Sequence, residues 1–577
     1  MYDLIVRNGT VIDGTGNARF QADIGVKDGR ITKVGTIDAS STSEIDASGK
    51  LVTPGWVDVH THYDGQATWD PLLAPSSWHG VTTVVMGNCG VGFAPVKLED
   101  REFLIELMEG VEDIPGAALS EGIDWQWESF PEYLDALEAT PRAIDVATQV
   151  PHGAVRAYVM GERCNTDYAP TAKEVDEMAA LVREGVEAGA LGFSSSKTLL
   201  HKDVHGEYMP GTFSGNDEML ALGLGMKGLS NSVFELVSDH LGDDEEWAWV
   251  TEFQKQTGLT VTLIATSAEA YKDNKMYKIA ELARLEGREI RPQAAGRPTG
   301  VLHGLQSSFH AFVGHPTWRS ELASLDHDTL LDRLRDPEVK AKLLSEKSVI
   351  KGGLMQDLPS LMGLVFPLGE NPNYEPLPED SVAGIAKSRD QDALEVMYDL
   401  LIANDGKELF YQPLGGYQGY SLDEQKKLLE HPNVLFGLSD GGAHCGVIAD
   451  AGMPTFIMTH WGRDRTRGEK MSLEFIVKSL TSSTAHAFGM YDRGQLTEGS
   501  IADINVIDFE SLRLHRPEAI FDLPAGGRRL VQRAEGYDVT IKSGEVIFNQ
   551  GQHTGALPGK LVRRSDDPPK VLARTGT

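Results

Sequence analysis

Eight short apolar runs, each followed by an amphipathic segment, constrain this chain more than any other feature. The runs are WVDVHTH, TTVVMGNCG, IDVATQV, GALGFSSS, SVFELVSD, LTVTLIAT, IRPQAA and VLFGLSDGG, rich in Val, Ile and Thr. Strands covered on both faces read in this way, and segments such as EVDEMAALVREGVEAG and DEEWAWVTEFQKQTG carry helical periodicity between them. Such alternation builds parallel β/α architecture. Eight units meet the requirement of a closed barrel, although a doubly wound sheet shares the pattern.

Both ends of the chain differ from this middle. LIVRNGTVID, ADIGVKDGRITKVG and SEIDASGKLVTPG near the start read as short strands cut by turns, with Asn8-Gly9, Asp28-Gly29 and Ser48-Gly49 as punctuation. ADINVIDFESLRL and YDVTIKSGEVIFNQG repeat that texture near the end. The expected fold class is therefore α/β: a (β/α)8 TIM-like barrel over residues 55–490, beside a small β-sandwich built from residues 1–54 and 491–550. Residues 300–407, between the seventh and eighth strands, exceed any simple loop and contain helix-like stretches such as TLLDRLRDPEVKAKLLSEK. They are expected to form a lid or subdomain over the strand ends. Residues 551–577 read as an arm-like tail.

Composition excludes several partners. Lys and Arg number 53 against 85 Asp and Glu, a net charge of −32, which argues against nucleic acid and anionic membranes. The three cysteines, Cys89, Cys164 and Cys445, cannot form a disulfide framework. No apolar run reaches membrane length, and MYDLIVRNGT lacks the apolar core of a signal peptide. The expectation is a cytoplasmic protein with a small-molecule partner, homo-oligomerisation being left open.

The strongest chemical signal is Asp58-Val-His60-Thr-His62, just after Pro54-Gly55. Residues two apart on a strand share a face, so His60 and His62 can present two imidazoles to one metal. Two histidines ending a strand for solubility give the same motif, so position decides. His60-x-His62 closes the first strand, and Ser439-Asp440-Gly441-Gly442 closes the eighth. Barrel active sites form at the carboxyl ends of strands, and the first and eighth strands are neighbours. Asp440 is thus expected beside the histidines, where a carboxylate can bind metal and take a proton from water. His444 is placed at the pocket rim as proton shuttle or oxyanion donor. His152, after the third strand, is a second rim candidate for contact with substrate. Arg297, in the Gly-Pro loop after the seventh strand, can pair bidentately with a substrate carboxylate. His201, His205, His303, His310 and His315 lie in loops and are expected to be solvated.

Several motifs together carry a resemblance: DLIVRNGTVIDGTG, GKLVTPGWVDVHTHYD, HGVTTVVMGNCGVGFAP, GALGFSSS, VLFGLSDGGAH and GQLTEGSIADINVID. Over nearly its whole length the chain resembles the amidohydrolase superfamily and, within it, the D-aminoacylase (N-acyl-D-amino-acid deacylase) branch. The resemblance implies one or two Zn2+ ions and hydrolysis of an N-acyl-D-amino acid by metal-activated water. It makes Cys89 a thiolate ligand at the end of the second strand. Lys197, after the fourth strand, falls where many members carry a carboxylated lysine bridging two metals; a plain lysine facing solvent or substrate is the other reading. The chain also departs from the branch. SVFELVSDHLGDD and LTVTLIATSAEAYKD lack the histidines expected of the fifth and sixth strands, and the sixth-strand lysine that grips substrate carboxylate is missing. A cyclic amide, a lactone or a bulky secondary amide therefore stays open as substrate, as does a non-catalytic ligand-binding role.

Overall fold

A computed structural model describes residues 1–165, 169–265, 275–350, 360–417 and 419–566. The eight expected runs all contain strands. In order they are Trp56–Asp58, Val81–Met86, Asp145–Thr148 continuing as Val150–Pro151, Gly192–Lys197, Val233–Ser238, Thr260–Ile264, Ile290–Ala294 and Leu435–Phe436. Each pairs in parallel with the next. The first also meets the eighth: Thr61 bridges Gly441, His62 N–H donates to the Gly441 carbonyl at 2.8 Å, and Asp440 N–H donates to His60 at 3.2 Å. That ring of pairings selects the barrel over the doubly wound sheet. Its floor is apolar, with Val57, Val59, Val85, Ala147, Leu191, Val233 and Leu435 packed on Ala485, Phe488 and Met490.

The surrounding helices follow from local sequence. Ala172–Ala188 starts at a capping box, where Thr171 accepts from Glu174 N–H and the Glu174 side chain returns to Thr171. Its buried positions Met178, Val182, Gly185 and Val186 form one stripe. Asp244–Thr257 is the second expected helix. None of the described helices is long and apolar enough to cross a membrane.

The insertion carries its own core, which includes Leu305, Phe312, Trp318, Leu331, Val396, Tyr398 and Phe410. The stretch expected as one helix divides at Pro337, with Asp336 capping the second piece, Pro337–Ser345. This core corrects one expectation. His303, His310 and His315 are buried there, not solvated, whereas His205 is exposed as expected.

The two ends of the chain meet in one nine-stranded sheet. Leu51–Pro54 pairs antiparallel with Ile504–Ile507, and Leu4, Val6, Ile24, Val26, Val52, Ile504, Val506 and Ile541 share its core. At the Asp28-Gly29 turn both residues have positive φ, +50° and +73°, the geometry that suits a twisted two-residue hairpin. The tail is extended as far as residue 566 and lies along the third strand, where Val562 N–H donates to Val146 at 2.7 Å. Its remainder, 567–577, lies outside the described residues.

One buried charge cluster joins these parts. Asp145, on the third strand, accepts from Arg493 at 2.5 Å, from Lys542 of the terminal sheet at 2.7 Å and from the tail N–H of Lys560 at 2.7 Å. Burial raises the Asp145 carboxyl, but Lys542 and Arg493 outweigh it and hold the group below its ordinary value. Its contribution is therefore present above the ordinary carboxylate pKa and fades as pH falls below it. Asp145→Ala takes one carboxylate from two buried cations, leaving Lys542 with Asp503 and Arg493 with Asp492, and should lower unfolding stability in urea by about 1.5–3 kcal/mol at neutral pH. A loss below about 1 kcal/mol, the scale of a surface pair, would deny the cluster this role.

Candidate metal centre

Barrel closure sets the site. The end of the first strand delivers His60 and His62, both buried, and the loop after the eighth delivers Asp440. The end of the second strand delivers Cys89. Candidate ligand atoms of His60, His62 and Cys89 all lie within 4.8 Å of one another. His60 Nε2 is 3.4 Å from Cys89 Sγ and 3.5 Å from Asp440 Oδ1, and His62 Nε2 is 4.0 Å from that same oxygen. Behind it, His60 Nδ1 donates to Gln293 Oε1 at 3.1 Å, which leaves the Nε2 lone pair facing Cys89 and Asp440.

The backbone is bent to achieve this. Cys89, Leu438, Asp440 and His444 all have positive φ, between +47° and +56°. Such conformations strain a residue with a Cβ by about 1–3 kcal/mol and concentrate at functional sites. Gly87 takes up the neighbouring turn at φ +73°, where a Cβ would meet the Gln149 carbonyl at 2.4 Å.

Two acids complete the cluster, neither of them among the expected residues. Glu112 ends the helix Arg101–Glu112 and is buried between His62 Nδ1, at 3.3 Å, and His444 Nε2, at 3.4 Å. The His444 N–H also donates to the Glu112 carbonyl, which fixes the loop after the eighth strand against that helix. Glu235, on the fifth strand, accepts the Cys89 N–H at 2.9 Å. Nothing in LMEGVED marks Glu112. Glu235 is the lone acid in the apolar run SVFELV, a signal that was present in the sequence.

Electrostatics follow from enclosure. Burial, with Asp450 and Asp58 nearby, raises the Asp440 carboxyl to about 8, and burial raises Glu235 to about 8 as well. Glu112 is pushed well up by burial and by Asp440, Asp64 and Glu235. Burial lowers His60 and His444 to about 4 and holds His62 well down, so all three imidazoles are neutral and able to bind metal. The Cys89 thiol is held up by burial and by the surrounding carboxylates. Among the described residues, Asp440 and Glu112 pair with no Lys or Arg and meet only these neutral histidines. His62 Nδ1 and Glu235 Oε1 are buried without a hydrogen bond. Crowded acids, neutral imidazoles, a thiol and unpaired polar atoms fit a divalent cation, which His60, His62, Cys89 and Asp440 are placed to hold.

Three other expected residues are not brought to this cluster. On the fourth strand, Ser194 and Ser196 face the site loops, Ser194 accepting from Gly90 N–H and Ser196 meeting His201 at 2.9 Å. Period two then turns Ser195 and Lys197 towards the helices. Lys197 Nζ pairs with Glu246 at 2.7 Å and with Asn216 at 2.9 Å. His152 is fully buried behind that strand, between Ser195 at 2.7 Å and Glu218 at 3.3 Å. Arg297 is buried in a pair with Asp450 at 2.6 Å and lies over the Tyr374 ring at 3.7 Å. It anchors the loop after the eighth strand. His444 does reach the rim, with about a third of its side chain exposed. His201, expected in solvent, is drawn in beside Ser196. The stretch just past the sixth strand, residues 266–274, lies outside the described residues.

Known proteins similar to this chain match it over nearly its whole length. A D-aminoacylase from Alcaligenes xylosoxydans xylosoxydans is 26% identical over 569 residues, 98% of each chain. An N-acyl-D-glutamate deacylase from the same organism is 24% identical over 97% of this chain and 96% of its own. The solved N-acyl-D-glutamate deacylase from Bordetella bronchiseptica, complexed with zinc and a phosphonate inhibitor, shares the fold at a TM-score of 0.63 and 24% identity. It covers 97% of this chain, which covers 99% of it. The profile of the Amidohydrolase family matches residues 43–342 and 375–548, and the chain belongs to that family.

Proposed function

We propose that this amidohydrolase cleaves the amide bond of an N-acyl-D-amino acid, releasing a carboxylic acid and the free amino acid. The observation that carries the reading is the convergence of His60, His62, Cys89 and Asp440 at one barrel mouth, in a chain similar from end to end to D-amino-acid deacylases. The same support extends to the wider architecture. The barrel domain is read as residues 55–490 and the terminal sheet as a small β-sandwich of residues 1–54 and 491–550, with 551–577 as its tail.

A bound zinc or other divalent ion supplies Lewis-acid polarisation of the acyl carbonyl and acidifies water. The rest falls to side chains. Asp440, whose carboxyl is raised to about 8 by burial and would be drawn lower by a cation, serves as general base. It accepts the proton of the attacking water, the C–N bond breaks, and Asp440 returns that proton to the leaving nitrogen. Neutral His444, at the open rim, is placed to donate a hydrogen bond to the oxygen on which charge develops. Glu112 holds His444 against His62, which keeps rim and metal ligand in register.

Loaded with zinc, the protein should release amino acid from N-acyl-D-amino acids and not from their L-enantiomers, as followed by chiral chromatography. Ring opening of cyclic amides with no release from any N-acyl-D-amino acid would move the substrate class. Replacing His60 and His62 together by Ala should remove bound metal, measured by elemental analysis, and abolish turnover while the fold persists. Full activity of that double variant in chelator would overturn the metal mechanism. Asp440→Asn keeps the size and one ligand oxygen but not the base. Its turnover should fall about a thousandfold or more with metal retained, within or beyond the range of general-base losses. Near-normal turnover would transfer the role of base to another group.

A further inference from the structure

Glu235 is the buried acid that the hydrolytic reading leaves without a task. It stands fully enclosed on the fifth strand, in Val233-Phe234-Glu235-Leu236. One oxygen, Oε2, accepts the Cys89 N–H at 2.9 Å, so the carboxylate lies against the loop that carries the thiol. The other, Oε1, is buried with no hydrogen-bond partner. Leaving such an atom dry costs about 1–3 kcal/mol, and more when it is charged. Among the described residues nothing near it repays that loss, since the charged side chain that acts on its carboxyl is Asp440, which carries the same sign.

The thiol is in the same position. Of the carboxylates around Cys89, Glu235 acts on it most strongly, ahead of Glu112, Asp440 and Asp64. A divalent cation bound to the Cys89 sulfur and to Glu235 would satisfy the free oxygen and offset the charge of both ligands in this dry interior. The fifth strand presents no other donor at this level, because Phe234 faces Phe193, Trp249 and Phe253 in the helix layer. We propose that Glu235 is itself a metal ligand in this chain and shares the ion with Cys89. The inference rests on the metal-dependent reading above and adds an oxygen donor from the fifth strand, where the sequence offers no histidine.

A carboxylate whose only task is to receive the Cys89 N–H would leave metal affinity nearly untouched when replaced by glutamine, which keeps an acceptor oxygen. The full-length protein is stripped of metal and titrated with Zn2+ and with Co2+ against a chromophoric chelator. Wild type, Glu235→Gln and Glu235→His are compared. Loss of partners that merely orient a ligand weakens metal binding about 10–100-fold, so loss of a ligand should exceed a hundredfold. Glu235→Gln is expected to fall more than a hundredfold in affinity, while its metal-free form melts no lower than wild type because glutamine keeps an acceptor for the Cys89 N–H. Glu235→His, with a donor restored, is expected within tenfold of wild type and with its cobalt d–d absorption shifted. Should Glu235→Gln fail to fold, the affinity and cobalt spectrum of Glu235→His carry the test. A loss below a hundredfold in Glu235→Gln, or an unshifted cobalt spectrum in Glu235→His, overturns the assignment. Wild-type protein that binds no metal would instead bring down the hydrolytic reading, and this one with it.

Discussion

Two backbone hydrogen bonds hold the candidate centre together. His62 N–H to Gly441 and Asp440 N–H to His60 sew the first strand to the eighth, and both histidine distances to Asp440 depend on that seam. Without it His60 and Asp440 would be ends of separate strands, some 380 residues apart in the chain. Their side chains converge because parallel pairing passes from strand to strand, with a break inside the third, and returns to the first. The strained backbone at Asp440 and His444 is tolerated because the seam on one side and Glu112 on the other determine its path.

The seam also creates the electrostatic problem that the centre must solve. It draws Asp440 into the enclosure shared by Glu112, Glu235 and the Cys89 thiol, with neutral imidazoles between them. In a medium of low polarity like charges cannot all ionise, so the carboxyl groups hold their protons far above the ordinary range. A cation changes this balance for the whole cluster at once, which ties metal binding to proton release. Arg297 does not relieve the crowding, because it is committed to Asp450 outside the cluster.

Much of this was legible in the amino acids. The eight strands were visible because each is a short apolar run between helical segments, and His60, His62 and Asp440 were visible because strand ends in a barrel share one mouth; Cys89 was marked by the resemblance to the D-aminoacylase branch. Lys197 shows where such reading stops. Position alone put it at the strand end, but the face depends on parity, and Ser194 and Ser196 occupy the inward phase. His303 and His310 were taken for loop residues, and their burial depends on a second core that forms only when distant parts of the insertion meet. Glu112 was beyond reach, since a helix ending in Glu-Asp looks like any solvated terminus. What places it inside is the loop of the eighth strand folding back over it.

The terminal sheet bears on how such a chain is made. Leu51–Pro54 finds its partner, Ile504–Ile507, only about 450 residues later. During synthesis the first strands must therefore wait, with one edge unpaired, until nearly the whole barrel has emerged. Contacts of such sequence separation form slowly, and an open strand edge in the interval invites pairing with a neighbouring chain. Closing the sheet is thus a late event in the life of the molecule. The nascent chain spends most of its time on the ribosome as a growing barrel with an unfinished edge.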